Sequence, residues 1–283
     1  MQFKSRLCTA ALILLSMAGT VAASQVEFEK SYRIQGNTAT VILRVDAGQV
    51  RIEKNDDADE CYVMLSYDED QAHCDVTFKD NRDRLQITLD HENWEAIKDN
   101  NKFRKTSVLI RLPGSRQIDL ETKVKAGEID FELGDLKLLN LDFTCWAGEV
   151  VVNFEEPNRI AMENFDVNVK IGDVTLRNLG NTNAENIDIN GGIGEMKLDF
   201  RGDQLQRMLA NIDLDIGETR IIIPEDIGAK LRVSRFLFLS DVSYPNWFEK
   251  KGNYYYSENY TETGRSLYLM ISQGIGELQI EVR

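Results

Sequence analysis

The chain is poor in the side chains that proton-transfer and zinc chemistry use most. Histidine occurs twice in 283 residues, as His73 and His91. A catalytic triad or a zinc centre would have to be assembled around one of them. His73 adjoins Cys74, but neighbours on one strand point to opposite faces, so the two do not converge on a metal. There is no Gly-x-Ser-x-Gly elbow and no phosphate-cradling glycine loop. Proline occurs only 4 times, which suits long regular β-structure. Positive charge is also short: 33 Lys and Arg face 47 Asp and Glu, a formal net charge of −14. That deficit excludes a nucleic-acid backbone as partner and gives no attraction to anionic lipid. It fits a soluble protein, a cationic partner, or the divalent cations of a cell envelope. A hydrophobic share of 42% against 28% charged is that of a folded domain, not a disordered chain.

Long apolar runs are missing as well, apart from one at the start. Lys4 and Arg6 precede a short apolar stretch over 7–18, and Val21, Ala22 and Ala23 supply small residues after it. This pattern is a signal peptide over 1–23, too short for a comfortable membrane span, with cleavage after Ala23. Losing Lys4 and Arg6 takes the charge from −14 to −16. No second run of about 18 apolar residues follows, so the mature chain is expected to be exported and soluble, in the periplasm or outside the cell. Export permits disulfides, and Cys61, Cys74 and Cys145 remain in the mature chain. A hairpin of 61–67 with 73–79 would hold Cys61 and Cys74 on the order of 13 Å apart, whereas a disulfide needs about 7 Å or less. Whether the two are bridged stays open. Cys145 alternates with Leu141 and Phe143 and reads as a small buried hydrophobe.

The mature sequence is β throughout. Residues 24–112 read as antiparallel strands over 40–45, 50–54, 61–67, 74–79, 84–90 and 106–112. Residues 91–105, with Trp94 and Ile97, interrupt them as a short helix or a long loop. From 113 to 283 a repeat takes over: glycine, then an acid, then apolar residues at alternate positions. The glycines are Gly127, Gly148, Gly172, Gly194, Gly217 and Gly276, with Gly48 as a weaker early copy. Their steps are 21, 24, 22 and 23 residues, then 59. A period near 22 is one turn of a β-solenoid: no turn can bury its apolar face alone, and stacking at about 4.8 Å satisfies the backbone. The step of 59 contains a polar, aromatic insertion over 240–266.

The segments Val108-Leu-Ile-Arg-Leu-Pro113, Lys125-Ala-Gly-Glu-Ile129, Trp146-Ala-Gly-Glu-Val150, Ile221-Ile-Ile-Pro-Glu-Asp-Ile-Gly228 and Gly274-Ile-Gly-Glu-Leu278 carry a family resemblance. Over roughly 35–283 the chain resembles the bacterial "putative adhesin" toastrack domains. It is also similar to the C-terminal domain of LiaF-like proteins, the cell-wall-active antibiotic response family. The resemblance implies the fold and supplies no catalytic residues. Membrane-embedded members carry transmembrane helices before this domain, where this chain has a signal peptide.

Three surface features are left for function. Stacked turns would align Glu128, Glu149, Asp173, Glu195 and Glu218 in a row. Carboxylates about 4.8 Å apart repel by on the order of 1 kcal/mol in water, so the row is either a solvated corner, paired with Lys125, Lys170, Lys197 or Arg220, or a site for divalent cations such as calcium. The acidic cluster over 55–60 lacks the glycine and terminal Glu of an EF-hand and reads as a solvated turn. The insertion offers Tyr244, Trp247, Phe248, Tyr254, Tyr256 and Tyr260, either as a glycan or protein platform or as a cap over the open end of the solenoid. Together these features describe a non-enzymatic, adhesin-like scaffold or binding module of the envelope, whose partner is an envelope protein or a glycan. The alternatives are a β-helical polysaccharide-acting enzyme, with carboxylates grouped in a groove, and a divalent-cation-dependent surface protein. Export predicts that intact-mass analysis of the secreted protein finds a chain beginning at Ser24; an unprocessed mass would overturn the signal-peptide reading.

Overall fold

In the computed structural model, which describes residues 25–92, 106–235, 239–261 and 264–283, the chain is built almost entirely of strands. The expected signal peptide lies outside the described residues, as do Trp94 and Ile97. The strands run β1 (Gln25–Arg33), β2 (Thr38–Asn55), β3 (Glu60–Asp68), β4 (Ala72–Lys79), β5 (Arg84–His91), β6 (Ser107–Pro113), β7 (Gln117–Glu132) and β8 (Lys137–Asn153). They continue as β9 (Asn164–Arg177), β10 (Asn186–Asp199), β11 (Arg207–Ile223), β12 (Gly228–Arg235), β13 (Ser240–Ser243), β14 (Phe248–Lys251), β15 (Tyr254–Ser257) and β16 (Ser266–Val282).

Register dictates the shape of the long strands. β7 and β8 pair in parallel from Gln117↔Lys137 to Glu132↔Asn153, yet only residues 133–136 connect them. A straight 16-residue strand would span about 50 Å, which four residues cannot retrace. Each long strand must therefore fold back on itself, and the burial pattern shows where. Ile118, Leu120, Thr122 and Val124 face inward, then the parity changes and Ile129 and Phe131 face inward. The fold lies at Gly127. Every long strand thus has an arm before its glycine and an arm after it, and the stacked arms make two layers of one continuous sheet that enclose one core.

The core is a single cluster running from Tyr32 to Ile280, with Phe131 against Phe143 and Phe154 against Phe165 in its interior. The glycines are register partners along the stack: Gly48↔Gly127, Gly127↔Gly148, Gly148↔Gly172, Gly194↔Gly217 and Gly217↔Gly276. A Cβ on Gly194 would lie 1.9 Å from the carbonyl oxygen of Gly172, and one on Gly217 would lie 1.8 Å from that of Gly194. Gly194 also has φ near +149°, a region that side-chain-bearing residues rarely adopt. The column therefore excludes any side chain by close approach, and at Gly194 by dihedral as well.

Two expectations need correction. The N-terminal third is not purely antiparallel. β2 is one continuous bent strand, where strands over 40–45 and 50–54 were expected, and its Gly48 is a full member of the column. β5 pairs in parallel with its first arm and β6 with its second, so β5 and β6 form a split outer rung. The antiparallel pairs β4–β5, β3–β6 and β1–β3 lie outside that rung. The expected hairpin of 61–67 with 73–79 also does not form. β3 is flanked by β1 and β6 beside the second arm of β2, while β4 pairs with β5 beside the first arm. The physical reason is that both segments alternate, and alternation does not choose a partner. Cys61, Cys74 and Cys145 are free thiols, and burial pushes Cys61 up to about 12 and Cys74 and Cys145 to about 11.

The 59-residue step has a topological cause. β12 and β13 form a second split rung, pairing in parallel with the two arms of β16. The last strand is therefore inserted between β11 and β12, and the stack closes in an order different from the sequence. Antiparallel β15 and β14 extend beyond β12 and cover its edge. Gly194→Ala is expected to cost about 3 kcal/mol or more and to lower the melting temperature by about 10 °C. Gly264→Ala, where an added Cβ meets nothing within 4 Å, should leave it within about 2 °C. Calorimetry on the two variants checks the contrast.

Candidate functional site

Outside the core, the stack turns each alternate position into a line of identical spacing. The acid that follows each glycine forms one such line. Gln49 pairs in register with Glu128, then come Glu149, Asp173, Glu195, Glu218 and Glu277, with Glu128 to Glu277 all exposed. The row is bonded along its length in places: Gln49 Nε2 donates to Glu128 at 2.8 Å, and the Glu195 amide donates to Asp173 at 3.2 Å. Of the expected cationic partners, Lys197 meets Glu195 at 3.0 Å, Lys125 reaches Asp46 at 2.6 Å and Arg220 pairs with Glu281. Among the described residues, no three His, Cys, Asp or Glu side chains come together as a metal-holding group. The cluster over 55–60 is a hydrogen-bonded turn after β2, with Asn55 donating to the Glu60 carbonyl and Asp59 meeting Arg116.

His73 is exposed on β4, while His91 is buried at the end of β5. Its amide donates to Asp46, its Nε2 lies 3.3 Å from Thr106 Oγ1, and burial lowers its pKa. The ring sits where β2 and β5 meet the start of β6.

The aromatic insertion divides between two jobs. Phe248 and Tyr255 are buried, and Trp247 packs on the core beside Phe248. These close the C-terminal end. Tyr244 is exposed and rests against Tyr255. Tyr254, Tyr256 and Tyr260 lie on the outer face of the sheet. There Tyr254 and Tyr256, together with Tyr268 of β16, surround the Lys230 ammonium at 4.1, 5.8 and 4.7 Å from their ring centroids. Tyr260 stacks edge-on against Tyr256 at 5.0 Å. Lys230 is the register partner of both Tyr256 and Tyr268, so strand pairing alone assembles this group from β15, β12 and β16.

The same outer face continues as a polar pavement. One line across the strands reads Glu121, Asp142, Asp166, Asp188, Asn211, Met270 and Arg232. The next reads Lys123, Thr144, Asn168, Asn190, Asp213, Ser272 and Ser234. Asn211 donates to Asp188 at 2.7 Å, tying adjacent rungs. Where the lines approach Lys230 they border a groove of about 280 Å³ lined by Asn190, Asn211, Asp213, Arg232, Met270 and Ser272, among others. Asp213 is held above its usual range by burial and by Asp215. Lys230, Tyr268, Arg232 and Asp213 were not singled out from the sequence. Lys230 and Arg232 lie on β12, Tyr268 on β16 and Asp213 on β11, and only the insertion of β16 between β11 and β12 brings them together. Four acids, Glu121, Asp142, Asp166 and Asp188, stand six positions before Gly127, Gly148, Gly172 and Gly194, a period of their own in the sequence.

Stacked bent rungs with an outer face of tyrosines, asparagines and carboxylates define an all-β scaffold of the toastrack class. The chain belongs to the toast_rack family: the model of the N-terminal domain of toast_rack matches residues 18–177, over half of the chain. The model of the C-terminal domain of the cell wall-active antibiotics response protein LiaF matches residues 170–280. Solved structures with similarity include a "putative cell adhesion protein" from Clostridium sporogenes, 16% identical, covering 91% of this chain and 100% of that one, with a TM-score of 0.44. Another is a "putative adhesin" from Bacteroides fragilis, 13% identical, covering 91% and 98%, with a TM-score of 0.40. No curated protein matches the chain.

The line of acids on the outer face makes a pH prediction. Asp166 is raised from its ordinary 3.8 by burial, then by Asp142 and Asp188, its partners on either side. A raised pKa in the folded chain means that ionisation opposes folding. The favourable contribution is present below pH 3.8 and is lost as pH rises through the folded value. Asp166→Asn should therefore melt about 2 °C above the native chain at pH 7, with the gap closing below pH 4. A gap independent of pH would refute the assignment.

Proposed function

We propose that this protein is an exported, non-enzymatic binding module of the cell envelope, adhesin-like in role, which holds its partner on the outer face near the C-terminal end of the stack. The observation that carries the reading is the continuity of the tyrosine group around Lys230 with the groove of Arg232 and Asp213. Aromatic rings supply apolar contact at low entropic cost, and amides, carboxylates and a guanidinium beside them supply directional hydrogen bonds. A glycan fits such a surface, because sugar rings present apolar faces edged with hydroxyls. Positioning on a stack of paired strands keeps these groups in a fixed register, which lowers the ordering cost of binding. The two family matches are consistent with an envelope setting.

The enzyme reading has one observation behind it, the raised pKa of Asp213 beside Asp215. It is separable by experiment. The chain from Ser24 onward would be titrated against a panel of neutral and acidic envelope glycans. Tyr254→Ala combined with Tyr268→Ala should weaken the binding about tenfold or more, with the melting temperature within a few degrees of native. Glycan turnover that Asp213→Asn abolishes would replace the binding module with a hydrolase. Glycan binding that the tyrosine variant leaves unchanged would remove the site from this face.

A further inference from the structure

The bend itself presents a second surface, which neither composition nor the glycine period announces. The residue before each glycine forms its own line: Ala47, Ala126, Ala147, Ile171, Ile193, Ile216 and Ile275. The four isoleucines are 54%, 50%, 43% and 43% exposed. Leu239, 43% exposed, extends the line, since its carbonyl accepts the Gly276 amide on the next rung. Five large apolar side chains thus stand in a row at about 4.8 Å intervals, a ridge about 19 Å long. Single exposed apolar residues are ordinary, whereas a contiguous set marks an interaction surface.

The bend does not require them. Ala126 and Ala147 occupy the same position beside Gly127 and Gly148, and their rungs fold back in the same register. Bulk appears only from β9 onward. It is accompanied there by Asp173, Glu195, Glu218 and Glu277, two residues further along each rung and on the order of 7 Å from the isoleucines. Glu195, Glu218 and Glu277 also border a groove of about 120 Å³ that includes Lys197 and Arg220. The result is a narrow apolar strip edged by a carboxylate row.

We propose that this ridge docks a cationic amphipathic peptide segment, its apolar side chains on the isoleucine line and its Lys or Arg side chains on the carboxylates. Charge decides between occupants. A second copy of this chain, at a net charge of −14, would bring two acidic rows together, and an anionic surface would meet the same repulsion. A basic segment gains from both features, and a helix of about 13 residues spans the ridge. This surface is separate from the tyrosine face, so the two assignments stand or fall independently.

The test uses the chain from Ser24 onward and a labelled amphipathic peptide of about 15 Leu and Lys residues, with a counterpart in which every Lys is Glu. Fluorescence anisotropy should show saturable binding of the Lys peptide that weakens with salt, and binding of the Glu peptide at least tenfold weaker. Ile193→Thr with Ile216→Thr, which keeps β-branching, should weaken the Lys peptide about tenfold, as should Glu195→Gln with Glu218→Gln and Glu277→Gln. Tyr254→Ala with Tyr268→Ala should change nothing here. Equal binding of the two peptides, or undiminished binding by the isoleucine variant, overturns the proposal. So does concentration-dependent self-association that the isoleucine variant abolishes, since the ridge would then serve a second copy. The two-peptide comparison needs no variant and stands even if one fails to fold.

Discussion

The structure depends on one close approach: the glycine of each rung resting on the carbonyl of the glycine one rung before. A side chain at Gly127 would come within 2.0 Å of the Gly48 carbonyl oxygen, and the same holds along the column to Gly276. Because nothing larger than hydrogen fits, every long strand folds at the same place. Because every strand folds at the same place, its two arms share one register with the rungs on either side. The core follows from that register, with Phe131 against Phe143 and Phe154 against Phe165 inside the folded sheet. So do the surface lines, since a side chain outside the stack inherits the spacing of the column.

That coupling makes this fold a way of multiplying a single residue. One isoleucine, one glutamate or one aspartate per rung is unremarkable in sequence, yet parallel in-register pairing converts each into a continuous stripe. The stripes differ in chemistry by position. Carboxylates and amides pave the outer face of the first arms, isoleucines line the bend, and carboxylates run just beyond it. Acidic stripes carry an electrostatic cost that the chain meets by hydrogen bonds such as Asn211 to Asp188, by pairs such as Lys197 with Glu195, and by exposure to water. The two ends of the stack are treated differently again. Antiparallel ribbons cover the outermost rungs, and at the C-terminal end the same ribbon both buries Phe248 and Tyr255 and displays Tyr254 and Tyr256. A cap and a platform are the two faces of one short sheet.

The sequence by itself determined the all-β class, the glycine column from Gly127 to Gly276, and the inward alternation of positions such as Ile129 and Phe131. These are local: a period of two within a rung and a recurring glycine–acid pair between rungs are visible without knowing who pairs with whom. The acid row is legible beside the glycines, because each acid directly follows its glycine in the chain. Only the tertiary structure decided strand partnership. It made β5 and β6 a rung, separated β3 from β4 and so denied Cys61 and Cys74 their hairpin, and slid β16 between β11 and β12. Alternation tells which face of a strand is buried but carries no address for its neighbour, and pairing is settled by which arrangement closes both ends of one core. For that reason the glycines and their acids were legible in advance, while the Lys230–Tyr268 group and the isoleucine ridge beside those same glycines were not.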